Sequence, residues 1–197
     1  MFMKNSLLRL PSLLLGFVLL LSAPALWSCS TETSFARTLR EHQEKYKVID
    51  DDTIQSYLRR NNYLSRSEAT GTGLHLVTIE NGQGRQVTAG KQVRVKYIGR
   101  FLNNSYSNTL FAPGSIFDNS TENRTVCGCA VFTAGSGTVA GFSEGLLRMR
   151  ERDRKLLLIP SRLGYGPNGQ LNSNNSGYII PPDATLLFDV EILSVSE

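Results

Sequence analysis

The sequence predicts an α+β fold in which a sheet curls around one short helix, with a short helical spacer ahead of it. Two observations lead there. Residues 132–191 order a short apolar helix around 141–147, a buried strand at 157–159, a long polar loop, a double-proline corner at Pro181 and Pro182, and a last strand. That last strand alternates, with Leu186, Phe188 and Val190 on one face and Leu187, Asp189 and Glu191 on the other. An inward aromatic and Tyr165, on a Gly-flanked loop, meet only if the sheet wraps the helix. The result is an aromatic-lined hollow, the usual form of a small-ligand site.

A chain of 197 residues suits one domain with appendages. A hydrophobic fraction of 41% with 19% charged residues fits a globular protein rather than a disordered one. The formal charge is +4. Without Lys4 and Arg9, both in the first segment, 19 basic residues face 17 acidic ones. That balance gives no argument for nucleic acid or a strongly acidic partner.

Residues 1–28 read as a signal peptide: Lys4 and Arg9 precede an apolar run at 13–21, which Pro24 ends. The run is short for a membrane span. Leu26, Trp27, Ser28 and Cys29 resemble a bacterial lipoprotein cleavage box, in which Cys29 becomes the lipidated first residue. Trp27 is bulkier than that box usually carries. The alternative is ordinary cleavage with Cys29 left as a thiol.

Residues 29–70 form the expected spacer, lipid-anchored and partly helical. Phe35, Leu39 and Tyr46 keep helical spacing, and Asp50, Asp51 and Asp52 offer an N-cap to a second helix. Ile54, Tyr57 and Leu58 make one narrow apolar stripe at i, i+3 and i+4. Such a stripe docks on the main domain, pairs with a second copy, or belongs to a semi-rigid stalk. Being too short to specify a coiled coil, it is read as a stalk. Gly71 and Gly73 mark the expected start of the domain, residues 71–197.

Within that domain, residues 74–80 alternate as a strand, and Asn81, Gly82 and Gly84 supply a turn. Val93, Val95 and Tyr97 share the inward face of the next strand. Only two histidines exist, His42 and His75, so a histidine metal site is not expected. Cys127 and Cys129 flank Gly128. In an extended strand positions i and i+2 lie about 6.6 Å apart, near the limit for a disulfide, and Gly128 supplies the bend that closes it. A structural disulfide in an oxidising compartment is the first reading; a redox pair and a metal site are the others. The basic run 148–155 carries Glu151 and Asp153 within it, which makes it a solvated turn rather than a phosphate site.

Taken together, G-F-S-E-G-L at 141–146, I-P-x-x-L-G-Y-G at 159–166 and I-I-P-P-x-A-T-L-x-F-D-V-E at 179–191 resemble the FKBP-type peptidyl-prolyl cis-trans isomerases. Upstream, V-x-Y-x-G at 95–99 and F-D-x-S at 117–120 resemble the same family, so the likeness spans roughly residues 71–197. It implies an antiparallel twisted sheet wrapped around one short helix. It also implies a prolyl isomerase acting on proline-containing polypeptides without cofactor or metal.

Carried over residue by residue, the resemblance places Tyr97, Phe117, Phe142 and Phe188 in an aromatic cup. Val139 would offer its backbone N–H at the rim, Tyr165 its hydroxyl to a substrate carbonyl, and Asp118 a polar edge near Tyr97. Phe132, Ile179 and Ile180 would adjoin the substrate. The chain departs from the family in three places at the site. Phe142 stands where many members have Trp, Ala130 where an aromatic often lies, and Ser176 near a position often aromatic or His. Arg152 replaces a common Gly in a turn away from the cup. The loops at 103–116 and 167–178 are enlarged, and both should rim the hollow, either setting selectivity or as plain surface insertions.

The function so implied is a lipid-anchored isomerase assisting folding in the bacterial envelope, at the periplasmic face of the outer membrane. The alternative is a non-catalytic module that grips unfolded chains or one partner. The client proteins and the oligomeric state are not specified by the sequence.

Overall fold

The computed structural model describes residues 33–103, 106–123 and 125–196. The expected signal peptide and Cys29 lie outside the described residues.

The chain opens with one continuous helix, α1 (Ser34–Arg60), of 27 residues. The Thr33 hydroxyl accepts from the Ala36 N–H at 3.2 Å, while Arg59 and Arg60 complement the negative end of the helix dipole. The expected second helix start at Asp50 does not occur. The reason is tertiary: the Asp50 side chain is fully buried and bonds to Ser161 and Thr185, so it caps nothing.

Seven strands form one antiparallel sheet: β1 (Ser67–Ala69), β2 (His75–Glu80), β3 (Gln92–Phe101), β4 (Ile116–Asn119), β5 (Ala130–Thr133), β6 (Arg154–Ile159) and, after the β7 (Gln170–Leu171) and β8 (Tyr178–Ile180) hairpin, β9 (Leu186–Val195). Their order is β1-β2-β6-β9-β3-β4, with β5 also on β3. The sheet therefore starts at Ser67, ahead of Gly71. The short helix α2 (Ala140–Leu147) packs on its concave face.

Strand alternation assigns residues to two cores. Leu74, Leu76, Val93, Val95, Leu157, Leu186 and Val190 fill the main one, with Phe142 and Leu146 of α2. On the opposite face Val77, Leu156, Leu158 and Leu187 are buried as well, together with Leu102, against Ile54 and Leu58 of α1. The stalk reading is thereby corrected. The stripe on α1 is the lid of a second core, and strands β2, β6 and β9 are apolar on both faces because both faces are covered.

The turn before β6 keeps a left-handed residue: Arg152 has φ 69°, at the position where the resembled family commonly has glycine. Its N–H donates to the Ile192 carbonyl at 2.7 Å, which helps hold a conformation unfavourable for a residue with a Cβ.

Candidate active site

β3 brings Tyr97, Gly99 and Phe101 to the concave face at alternate positions, and β9 brings Phe188 beside them, opposite Gly99 in the ladder. Phe142 enters from the first turn of α2. Its ring lies 5.9 Å from Tyr97, 5.3 Å from Phe132 and 5.0 Å from Phe188, all tilted or edge-on. Phe117 meets Phe188 edge-on at 5.4 Å. A Cβ on Gly99 would sit 2.7 Å from the Phe117 ring and 3.0 Å from that of Phe188. Only glycine lets both rings lie on the strand.

Thus Tyr97, Phe117, Phe142 and Phe188 do assemble, with Phe132 against Tyr97 and Phe142. Phe142 forms the floor, and Phe117 and Phe132 keep an accessible side.

Polar groups stand at the edge. The Tyr97 hydroxyl donates to Asp118 Oδ2 at 2.8 Å. The half-buried Tyr165 follows the short turn Ser161–Leu163, and among the described residues its hydroxyl has no hydrogen-bond partner. Burial, then the charge of Asp118, pushes its pKa above the ordinary phenol value. It is a protonated, unengaged donor throughout the neutral range. Val139 is the N-cap of α2, where backbone N–H groups have no partner inside the helix. Ile179 is exposed, but Ile180 is buried in the main core. Its expected place against the substrate is corrected, because consecutive residues of β8 point to opposite faces and the core takes the second.

The two enlarged loops meet. Tyr106 and Tyr178 pack edge-on at 5.3 Å, and Tyr106 also lies 6.0 Å from Phe111. Most of the second loop is the β7–β8 hairpin, whose tip is tied by Asn172, Asn174 and Ser176. Ser176 spends its polar groups on that tip.

Cys127 and Cys129 are joined in a disulfide, with Cα atoms 5.2 Å apart and Gly128 at φ 55°. The bend at Gly128 brings the pair inside the extended-chain spacing. Ser120 Oγ donates to the Gly128 carbonyl at 2.8 Å and itself accepts the Tyr97 N–H at 3.1 Å. The bridged turn therefore braces the cup wall. An open hollow of about 880 Å³ runs beside the cup along β5, sharing Tyr97, Ala130 and Phe132.

Among the described residues no group of three or more His, Cys, Asp or Glu side chains could hold a metal. No described helix is long and apolar enough to cross a membrane.

An aromatic cup with a buried floor, one phenol bonded to a carboxylate and one without a hydrogen-bond partner among the described residues, stand together on an antiparallel sheet, an arrangement suited to an apolar group beside a hydrogen-bonding one. The same class emerges from comparison with known proteins. Residues 83–193 match the model of the FKBP-type peptidyl-prolyl cis-trans isomerase family, and the chain belongs to that family and to its class of enzymes. A FK506-binding protein of Neisseria meningitidis serogroup B is 36% identical over 126 residues, covering 64% of this chain and 98% of the relative. The FKBP-type 22 kDa peptidyl-prolyl cis-trans isomerase of Escherichia coli K12 is 28% identical over 166 residues, covering 81% of this chain and 71% of its own. The solved structure of FkpA from Escherichia coli superposes with a TM-score of 0.56 at 27% identity, covering 82% of this chain and 68% of that one.

Proposed function

We propose that this protein accelerates cis-trans exchange of X-Pro bonds in polypeptides by desolvation and placement. One observation carries the reading: four rings, Tyr97 among them, enclose a cup whose edge holds the Tyr97 hydroxyl on Asp118 and a Tyr165 hydroxyl unengaged among the described residues. The X-Pro barrier of roughly 18–20 kcal/mol comes from lost amide conjugation. A proline ring in the cup leaves water, which favours the twisted, less conjugated amide, and Tyr165 donates to a flanking carbonyl. No group needs to lose or gain a proton.

The full chain is expected to accelerate both peptide exchange and a proline-limited refolding reaction. Tyr165→Phe keeps the ring and removes the donor, so it should cost roughly 0.5–1.5 kcal/mol of transition-state stabilisation. Asp118→Asn should slow exchange while leaving the fold intact. The raised Tyr165 pKa keeps the donor protonated, so the rate should be flat from about pH 6 to 8. A well-folded chain that accelerates neither reaction would be the non-catalytic binding module instead.

We also propose that the protein works in the bacterial envelope, held by lipid on Cys29. The apolar run at 13–21 and the Leu26, Trp27, Ser28, Cys29 box support this. One acyl chain binds a membrane only marginally, so the multi-chain lipoprotein modification is meant. The mature protein should partition into detergent, and Cys29→Ala should abolish partitioning. Mass spectrometry showing an unmodified Cys29 at the mature N-terminus would remove the anchor.

A further inference from the structure

Asp50 lies on α1, outside the residues that match the family. It is 0% exposed, and its two oxygens hold two distant points of the chain. Oδ2 accepts the Ser161 N–H at 2.9 Å and the Ser161 hydroxyl at 2.7 Å; Oδ1 accepts the Thr185 hydroxyl at 2.7 Å. Ser161 and Thr185 are the two ends of the segment that carries Tyr165, the enlarged hairpin and Ile179. One carboxylate thus closes that segment at its base. Burial pushes the Asp50 carboxyl upward, and the three bonds offset part of that cost.

A second contact follows the same line. Two turns and a little more toward the start of α1, His42 Nε2 lies 2.9 Å from Asp183 Oδ1, and the Asp183 N–H donates to the Gly166 carbonyl at 2.9 Å. Gly166 adjoins Tyr165. Asp183 itself takes φ 57°, a conformation that needs support from its surroundings. Asn103 adds to that support by accepting from the Thr185 N–H at 3.0 Å.

We propose that Asp50 is a positioning residue for isomerisation: from a helix outside the matched domain, it closes the 161–185 segment and so places the Tyr165 hydroxyl at the cup. Its kinetic consequence rests on the isomerase reading above; its effect on the segment does not. A bond from α1 to each end of a long loop removes the loop's freedom to open at its base, which is where a few degrees of rotation move Tyr165 most.

The test uses the full chain and measures peptide exchange together with amide hydrogen exchange. Asp50→Ala should lower kcat/KM about 2- to 12-fold, the worth of the single hydrogen bond made by Tyr165. The Asp50→Ala, Tyr165→Phe double variant should be no slower than the slower single one, since both remove the same contact. Asp50→Asn keeps the volume, one acceptor and a donor for a hydroxyl, so it should recover part of the loss. Thr185→Val should reproduce part of it from the other side. Amide exchange in residues 161–185 should rise in Asp50→Ala while that of β3 stays low. Additive effects of Asp50→Ala and Tyr165→Phe would overturn the proposal. So would unchanged exchange in 161–185, measured in Asp50→Asn should Asp50→Ala fail to fold. A wild-type chain without isomerase activity would sink the proposed function instead, and the amide exchange would still decide whether Asp50 orders the segment.

Discussion

Phe188→Ala should destabilise the fold by about 3–5 kcal/mol and remove most of the isomerase activity that survives. Phe188 is 6% exposed and touches three cup rings: Phe142 at 5.0 Å, Phe117 at 5.4 Å and Tyr97 at 6.1 Å. Truncation leaves a hole with rigid walls, since Phe117 and Phe142 are fixed by Gly99 and α2 and collapse only in part. Water then enters the cup, and the desolvation that favours the twisted amide is lost. Typical domains have about 5–15 kcal/mol in total, so the variant must be assayed in the cold and its folded fraction measured by denaturant titration. Phe188→Leu separates the two effects, because it keeps much of the volume and loses the ring face. It should cost the fold less while still slowing exchange. A Phe188→Ala chain that unfolds at the wild-type denaturant concentration would show that Phe188 is not a packed wall of the cup.

Ile54→Ala and Leu58→Ala, both on α1, should each cost about 2–5 kcal/mol. Both side chains are at most 1% exposed and seal Val77, Leu102, Leu156, Leu158 and Leu187. On a free stalk the same changes would lie within about 0.5 kcal/mol of zero. The measurement thus separates a docked helix from a tether with little ambiguity. A chain starting at residue 71 loses α1 and β1 together, which bares a five-residue apolar face. It should bind a hydrophobic dye and melt well below the full chain. If it melts with the full chain, α1 contributes nothing to the fold and the second core is not a core.

These expectations bear on how far the sequence alone reaches. The inward faces of Tyr97 and Phe188 were legible from the two-residue period of their strands, while their grouping with Phe117 and Phe142 in one cup was implied by the resemblance. Tyr97 follows Val95, Phe188 follows Leu186, and their faces are set by the pleat. Tyr165, Asp118 and Val139 came from the resemblance, since no periodicity marks a single residue on a loop or at a helix cap. The Cys127–Cys129 bridge was accessible from chain geometry, needing only a bend at Gly128. Ile179 and Ile180 are chemically identical, and only the strand's orientation decides that Ile180 turns inward.

What the sequence by itself determined is local: the apolar stripe at 54–58, the strand faces and the turn at Gly128. Each of these depends on neighbours within a few residues. Tertiary structure alone decided the role of α1. Asp50, Asp51 and Asp52 look the same in one dimension, and three acidic residues before an apolar stripe read naturally as a helix start. Their fates differ because docking places only Asp50 over the two loop ends, 111 residues from Ser161 and 135 from Thr185. The same docking makes core of Leu187, on the face opposite Phe188, together with Val77 and Leu158. Burial on both faces is a property of what covers a strand, and a strand's own sequence does not say which helix that will be.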